Sequence, residues 1–181
     1  MMQMNGERRT YPQAYIEYLV QFHAVRDYFE CHEILEEYWK EHPESPYRET
    51  WVMLIQLAVS LYHERRGNRT GAVKLMTGAI GRFNASHMEQ LGVDGHALLE
   101  RMRNRLDELR SEAAAPFSDL NIPIIDEELV QRCEERAKEL GCTFGQPSDM
   151  QDSYLLNRHK LRDREAARQA RQAALEERKS H

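Results

Sequence analysis

The spacing of apolar residues constrains this chain most. They recur at intervals of three and four residues along most of its length, while the two-residue alternation typical of a strand is scarce. Proline and glycine stand where helices would begin and end: Pro12 suits a first helical turn, and Gly67 and Gly141 are natural left-handed terminators. We therefore predict an all-α fold, a compact bundle of about five helices with a C-terminal helical extension.

The same signals set the expected helix boundaries. The first bundle helix is expected to start at Pro12, and the second to run from Asp27 to about Glu41. The third is expected to run from a Ser45 cap, with Pro46 at its first position, to Gly67. The fourth is expected to run from about Arg69 to Asn84, and the fifth to carry an apolar stripe from Leu98 to Leu109. Interior glycines weaken the fourth helix by roughly 1 kcal/mol each relative to alanine. We therefore expect another helix to approach closely at Gly71, Gly78 and Gly81.

The chain length suits one sizeable core with an appendage. At 181 residues it is too short for two large domains. We assign residues 11–112 to the bundle and residues 113–181 to a linker plus a helical extension with a basic tail. In the extension, a sixth helix begins at Asp126 and ends at Gly141, and the chain is helix-prone from about Asp149.

Charge divides the chain into an acidic body and a mildly basic tail. Residues 151–181 hold eight Lys or Arg and five Asp or Glu, a balance of +3, which leaves −8 for residues 1–150. Acidic residues are interspersed among the basic ones, which favours a solvated helix face over a nucleic-acid surface. A long additional helix also suits self-association, so a homodimer is among the states we expect.

Cysteine use and hydropathy indicate a cytoplasmic protein. The three cysteines, Cys31, Cys133 and Cys142, are odd in number and widely separated, which favours reduced thiols over disulfides. Residues 1–10 are polar and lack the apolar stretch of a secretory signal. The longest uncharged apolar run, Thr50 to Tyr62, has 13 residues, whereas a membrane span needs about 20. We therefore predict no membrane association.

The second helix places polar groups beside its apolar face. At about 100° per residue, His32 and Glu36 fall next to Trp39, at the border of the core. A buried carboxylate is costly without a partner, so Glu36 needs a hydrogen-bond donor, a cation or a metal ion. On the third helix, Gln56 and His63 are seven residues apart on one stripe and are expected to face this pair.

These residues permit a metal site. Histidine and glutamate at positions i and i+4 reach a single ion, and Glu33 stands where the zinc-protease motif H-E-x-x-H has its general base, with Glu36 replacing the second histidine. With His63 as third ligand, one divalent ion (zinc, manganese, iron or nickel) would acidify a water molecule and hydrolyse an unknown small molecule.

Two other interpretations remain open. Histidine, glutamate and glutamine also satisfy one another without an ion, and the protein is then a non-catalytic helical interaction module with a protein partner. The same groups also suit a metal-free ligand pocket.

The motifs resemble those of a known family. The segments Tyr28 to Trp39, Leu54 to Val59, and His63 with Gly67 to Ala72 are similar to the family called domain of unknown function 309. The resemblance covers about residues 11–110 and implies a small helical bundle, sometimes labelled a predicted metal-dependent hydrolase. It places the family's polar positions at His32, Glu33, Glu36, Gln56 and His63, and its turn at Gly67, Asn68 and Gly71. Asn68 thereby joins Gln56 in the expected polar network.

Overall fold

The structure, a computed structural model, describes residues 9–113 and 115–179, with side chains omitted at 159–167 and 179. Within these residues nine α-helices follow one another: α1 (Gln13–Val20), α2 (Tyr28–Glu41), α3 (Arg48–Arg65), α4 (Arg69–Gly81), α5 (Ala85–Gln90), α6 (Gly95–Arg110), α7 (Glu127–Glu139), α8 (Ser153–Leu156) and α9 (Arg158–Lys179). A π-helical turn, Gln21–Val25, continues α1. The described residues contain no strand, only an isolated bridge between Val93 and Ile124, so the predicted all-α fold is confirmed.

Helix α3 lies at the centre of the bundle. It packs against α2 on one side and α4 on the other, while α1 packs on α2 and α6 packs on α4. Its residues Trp51, Leu54, Leu57 and Leu61 are almost completely buried. Because this helix carries no charge from Thr50 to Tyr62, it tolerates contact with neighbours on several sides.

The segment after the bundle contributes to the same core. Helix α7 packs on α1, and Leu120, Ile122, Leu129 and Cys133 join the apolar cluster formed by the earlier helices. The chain between α6 and α7 therefore buries apolar residues as well as connecting two helices.

Several helix ends lie where the sequence predicts them. Asp27 caps α2 by accepting a hydrogen bond from the backbone N–H of Glu30 at 2.9 Å. Gly67 and Gly141 have φ values of +88° and +75°, the left-handed conformation expected of helix terminators.

Two boundaries differ from the prediction. Helix α3 begins at Arg48 instead of after a Ser45 cap, because the Ser45 hydroxyl accepts hydrogen bonds from the Tyr47 backbone and the Trp51 indole, each at 3.2 Å. The fourth helix ends at Gly81, and Asn84 instead caps the six-residue helix α5, which was not predicted.

Within the described chain, no helix combines the length and the apolar character required to cross a membrane. Residues 1–8 and 180–181, which belong to the predicted polar start and basic tail, lie outside the described residues.

Candidate functional site on helices α2 and α3

His32 and Glu36 form a pair along α2. Their i,i+4 spacing places His32 Nε2 2.5 Å from Glu36 Oε2, and the Lys40 ammonium lies 3.0 Å from Glu36 Oε1. Burial would raise the pKa of Glu36, but the hydrogen bond from Lys40 and the interaction with His32 outweigh it and lower that pKa. The side chains of His32 and Glu36 are 27% and 32% exposed, so the pair lies at the edge of the core and in contact with water.

Gln56 and His63 lie against the glycines of α4. A Cβ atom at Gly78 would be 3.0 Å from Gln56 Nε2, and one at Gly71 would be 3.1 Å from His63 Cγ. Their positions confirm the predicted close approach at Gly71 and Gly78. The prediction is wrong at Gly81, where a Cβ would meet nothing within 4 Å.

Asn68 connects His63 to the start of α4. Its side-chain oxygen accepts a hydrogen bond from the Gly71 backbone at 3.0 Å, and its amide nitrogen lies 3.2 Å from His63 Nδ1. Because the amide nitrogen is a donor, His63 Nδ1 acts as the acceptor in this pair. Asn68 thus caps α4 and orients the imidazole with one side chain.

Three polar side-chain atoms of α2 and α3 are buried without a hydrogen-bond partner among the described residues. They are His32 Nδ1, Trp39 Nε1 and Gln56 Oε1. We call their three residues the α2–α3 seam, and one of them, Gln56, also lies against Gly78 of α4. The Arg48 guanidinium lies 4.6 Å from the centre of the Trp39 ring but leaves the indole nitrogen unsatisfied. Each such atom costs about 1–3 kcal/mol in the isolated protein.

The predicted metal ligands do not form a three-ligand group in this arrangement. Among the described residues, no three His, Cys, Asp or Glu side chains are placed together as the ligands of one ion would be. Both Glu36 oxygens also have partners, and the Lys40 ammonium would repel a cation at that carboxylate. The metal ion, and the role of Glu33 as its base, stay predictions.

A second polar cluster is buried at the start of α2 and was not predicted from the sequence. Arg65 is 5% exposed and donates to the Arg26 carbonyl at 2.6 Å and to the Leu155 carbonyl at 3.1 Å. Its guanidinium also lies 4.6 Å from the centre of the Tyr28 ring. Arg26, at φ +61°, donates to the Gln146 carbonyl at 2.7 Å. These two arginines bind the segment after α7 to the start of α2.

Asp119 supplies a negative charge to this cluster. It accepts hydrogen bonds of 2.5 Å from the Tyr28 hydroxyl and the Ser148 hydroxyl, and one of 2.7 Å from the Ser148 backbone. Burial would raise the pKa of Asp119, but these hydrogen bonds outweigh it and lower that pKa. Burial, with Asp119 nearby, raises the pKa of Tyr28. The partners are 29 to 91 residues apart in sequence, so no local sequence motif predicts these contacts.

His23 connects the π-helical turn to the segment before α7. Its Nδ1 lies 2.9 Å from the Leu19 carbonyl, and its Nε2 accepts from the Ile122 backbone N–H at 2.9 Å. This pattern requires the neutral tautomer with the proton on Nδ1. Burial is the main reason that the pKa of His23 is lowered to about 4.

Comparison with known proteins places the site inside a family. The family model described as domain of unknown function 309 matches residues 15–75, which include α2, α3 and the Asn68 turn. The Bacillus subtilis protein described as uncharacterized protein YpuF is 46% identical over 171 residues, which cover 93% of this chain and 97% of that protein. No solved structure matches. This chain therefore belongs to the family called domain of unknown function 309.

Proposed function

We propose that the protein is a non-catalytic helical binding module whose contact surface is the seam between α2 and α3. The observation that carries the proposal is the set of three buried polar atoms, on His32, Trp39 and Gln56, that have no partner within the residues that the structure describes. Folded proteins satisfy most buried polar atoms, and exceptions need an explanation. A ligand that supplies the missing hydrogen bonds would account for all three.

The three atoms define the chemistry of the ligand. The Trp39 indole N–H needs an acceptor, and Gln56 Oε1 needs a donor. Because His32 Nε2 faces the ionised Glu36 carboxylate, the proton belongs on Nε2 and leaves Nδ1 as an acceptor. The ligand therefore offers both donors and acceptors, as does a peptide backbone or a polar small molecule.

A metal-dependent hydrolase is the second candidate. The observation in its favour is the contact between His32 and Glu36, whose spacing on α2 suits ligands of one ion. It needs a third ligand, for which the sequence offers His63, and Glu33 as the base. Hydrolysis would then depend on an ion that the binding module does not need.

Elemental analysis of the purified protein separates the two candidates. The binding module predicts no stoichiometric zinc, manganese, iron or nickel, and an unchanged metal content in His32→Ala and His63→Ala. Circular dichroism confirms that each variant is folded, and His87→Ala, outside the proposed ligand set, serves as the control. Near-stoichiometric metal that is lost in both His32→Ala and His63→Ala, but kept in the control, would replace the binding module with the hydrolase.

A further inference from the structure

A groove lies where the turn between α2 and α3 meets the start of α1. Tyr38, Tyr47 and Trp51 line it together with Glu41 and Glu44, and we call it the turn groove. Its volume is about 620 Å³, within the range of roughly 300–1,000 Å³ that is typical of small-molecule sites. None of the described residues that line it belongs to the α2–α3 seam, so the two sites are separate.

Two tyrosine rings of the turn groove meet the Trp51 ring at wide angles. The ring centres of Tyr38 and Trp51 are 5.6 Å apart with their planes at 88°, and those of Tyr47 and Trp51 are 5.7 Å apart with their planes at 56°. Trp51 is the most deeply buried of the three, at 1% exposure, whereas Tyr38 and Tyr47 are half-buried. Rings at such angles form the walls of an aromatic cage, the arrangement by which proteins recognise quaternary ammonium groups.

Contacts of their own hold these rings in place. The Tyr47 hydroxyl donates to Gln90 Oε1 at 2.7 Å, and the Trp51 indole donates to the turn. The His42 ring stacks on Tyr38 with 3.9 Å between ring centres, and its Nδ1 donates to the Tyr38 carbonyl at 2.9 Å. A ligand therefore meets rings that are already ordered, which reduces the entropic cost of binding.

The lining of the turn groove favours a cation. Glu41 and Glu44 are exposed, and neither carboxylate forms a hydrogen bond or ion pair with another described residue. No lysine or arginine is among the described residues that line the groove. Three further lining residues, Pro12, Pro43 and Pro46, have no backbone N–H to offer an anion. The groove thus combines negative charge, aromatic rings and few hydrogen-bond donors.

We infer that the turn groove binds a methylated ammonium group. The ring faces and the two carboxylates attract the positive charge of such a group, and its methyl groups pack against the rings and the proline side chains. An unmethylated ammonium is compact and strongly hydrated, so it loses more hydration on entering the groove. The same head group occurs on free choline-like molecules and on methylated lysine side chains, and both have the chemistry that this lining recognises.

A nuclear magnetic resonance titration of the full chain tests the inference through the Trp51 indole signal. The ligands are choline, its uncharged analogue in which carbon replaces the nitrogen, and a peptide carrying trimethyllysine. Choline, the peptide or both should shift the Trp51 signal and leave that of Trp39 in place. The uncharged analogue should bind at least about tenfold more weakly, because it keeps the shape and loses the electrostatic attraction. Binding of choline alone would assign a small molecule, and binding of the peptide alone a methylated protein.

Variants of the lining separate the rings from the carboxylates. Tyr47→Leu should weaken binding about fivefold or more, whereas Tyr47→Phe, which keeps the ring, should bind as the wild type does. Glu41→Gln with Glu44→Gln should weaken binding about threefold at low ionic strength and less at high ionic strength. Glu100→Gln with Glu135→Gln, at exposed positions on α6 and α7, makes the same change in net charge and should leave binding unchanged.

Three results would overturn the inference. They are a Trp51 signal that neither methylated ligand moves, equal binding of choline and its uncharged analogue, and equal binding of trimethyllysine and unmethylated lysine peptides. Circular dichroism confirms that each variant is folded. Because the readout is Trp51 and the seam is followed through Trp39, either site can fail without the other.

Discussion

Two polar regions flank α2, and they differ in how their hydrogen bonds are completed. At the start of the helix, Arg26, Arg65 and Asp119 are bound by carbonyls and hydroxyls from distant segments, although Arg65 Nε is itself buried without a partner among the described residues. At the α2–α3 seam, His32 and Gln56 each keep a buried atom without a partner in the described part of the chain. The first arrangement stabilises the fold, because a buried charge is tolerated only when it is paired. The second costs stability and is more consistent with binding.

Removal of Arg65 should have the largest effect. Arg65→Met leaves the Arg26 and Leu155 carbonyls without their donor and Asp119 with less positive charge nearby. We expect the free energy of unfolding to fall by about 3 kcal/mol or more, measured by urea denaturation. Arg103→Met, at an exposed position, should change it by less than about 0.5 kcal/mol. Equal effects of the two substitutions would contradict a stabilising role for the buried cluster.

A fall in pH should lower the free energy of unfolding because His23 becomes protonated. Its pKa is about 4 in the folded protein and about 6.5 when unfolded, so the unfolded chain binds the proton more readily between these values. Stability is therefore full above pH 6.5 and is lost as the pH falls toward 4, by about 3 kcal/mol from this group. The free energy of unfolding, measured across this range, should depend less on pH in His23→Gln. An unchanged slope would show that His23 titrates normally.

Replacement of Gln56 should have the smallest effect, and its sign is informative. Gln56→Met keeps the side-chain volume and removes an oxygen that has no partner among the residues described, so stability should stay constant or rise by up to about 1 kcal/mol. Gln146→Met is the matched control, because Gln146 Oε1 accepts a 2.9 Å hydrogen bond from the Thr143 backbone N–H. This control variant should therefore be less stable than the wild type. If Gln56→Met is as destabilising as the control, Gln56 belongs to a structural network instead.

Local signals in the sequence were sufficient for most of the helical framework. The Asp27 cap and the Gly67 and Gly141 terminators act through neighbouring residues, so their effect is readable without the fold. The prediction that Ser45 caps the third helix was wrong because the Ser45 hydroxyl accepts a hydrogen bond from the Trp51 indole. That contact depends on the turn already being formed.

The site was predictable only in part. The i,i+4 contact of His32 with Glu36 follows from helix geometry alone. The position of Gln56 against Gly78 depends on how α3 and α4 pack, although interior glycines pointed to a close approach. Arg26 and Gln146 are 120 residues apart, and no pattern of spacing relates residues at that separation.

The two tryptophans allow the most direct test of the binding seam. Trp51 Nε1 donates to Ser45 Oγ at 3.2 Å, whereas Trp39 Nε1 is buried and has no partner within the described part of the structure. In a nuclear magnetic resonance titration of the intact protein with a library of small amides and short peptides, binders should shift the Trp39 indole signal and leave that of Trp51 in place. The Trp39 shift should disappear in Gln56→Met. A library that moves neither signal, or moves both equally, would contradict the assignment of this seam as the binding surface.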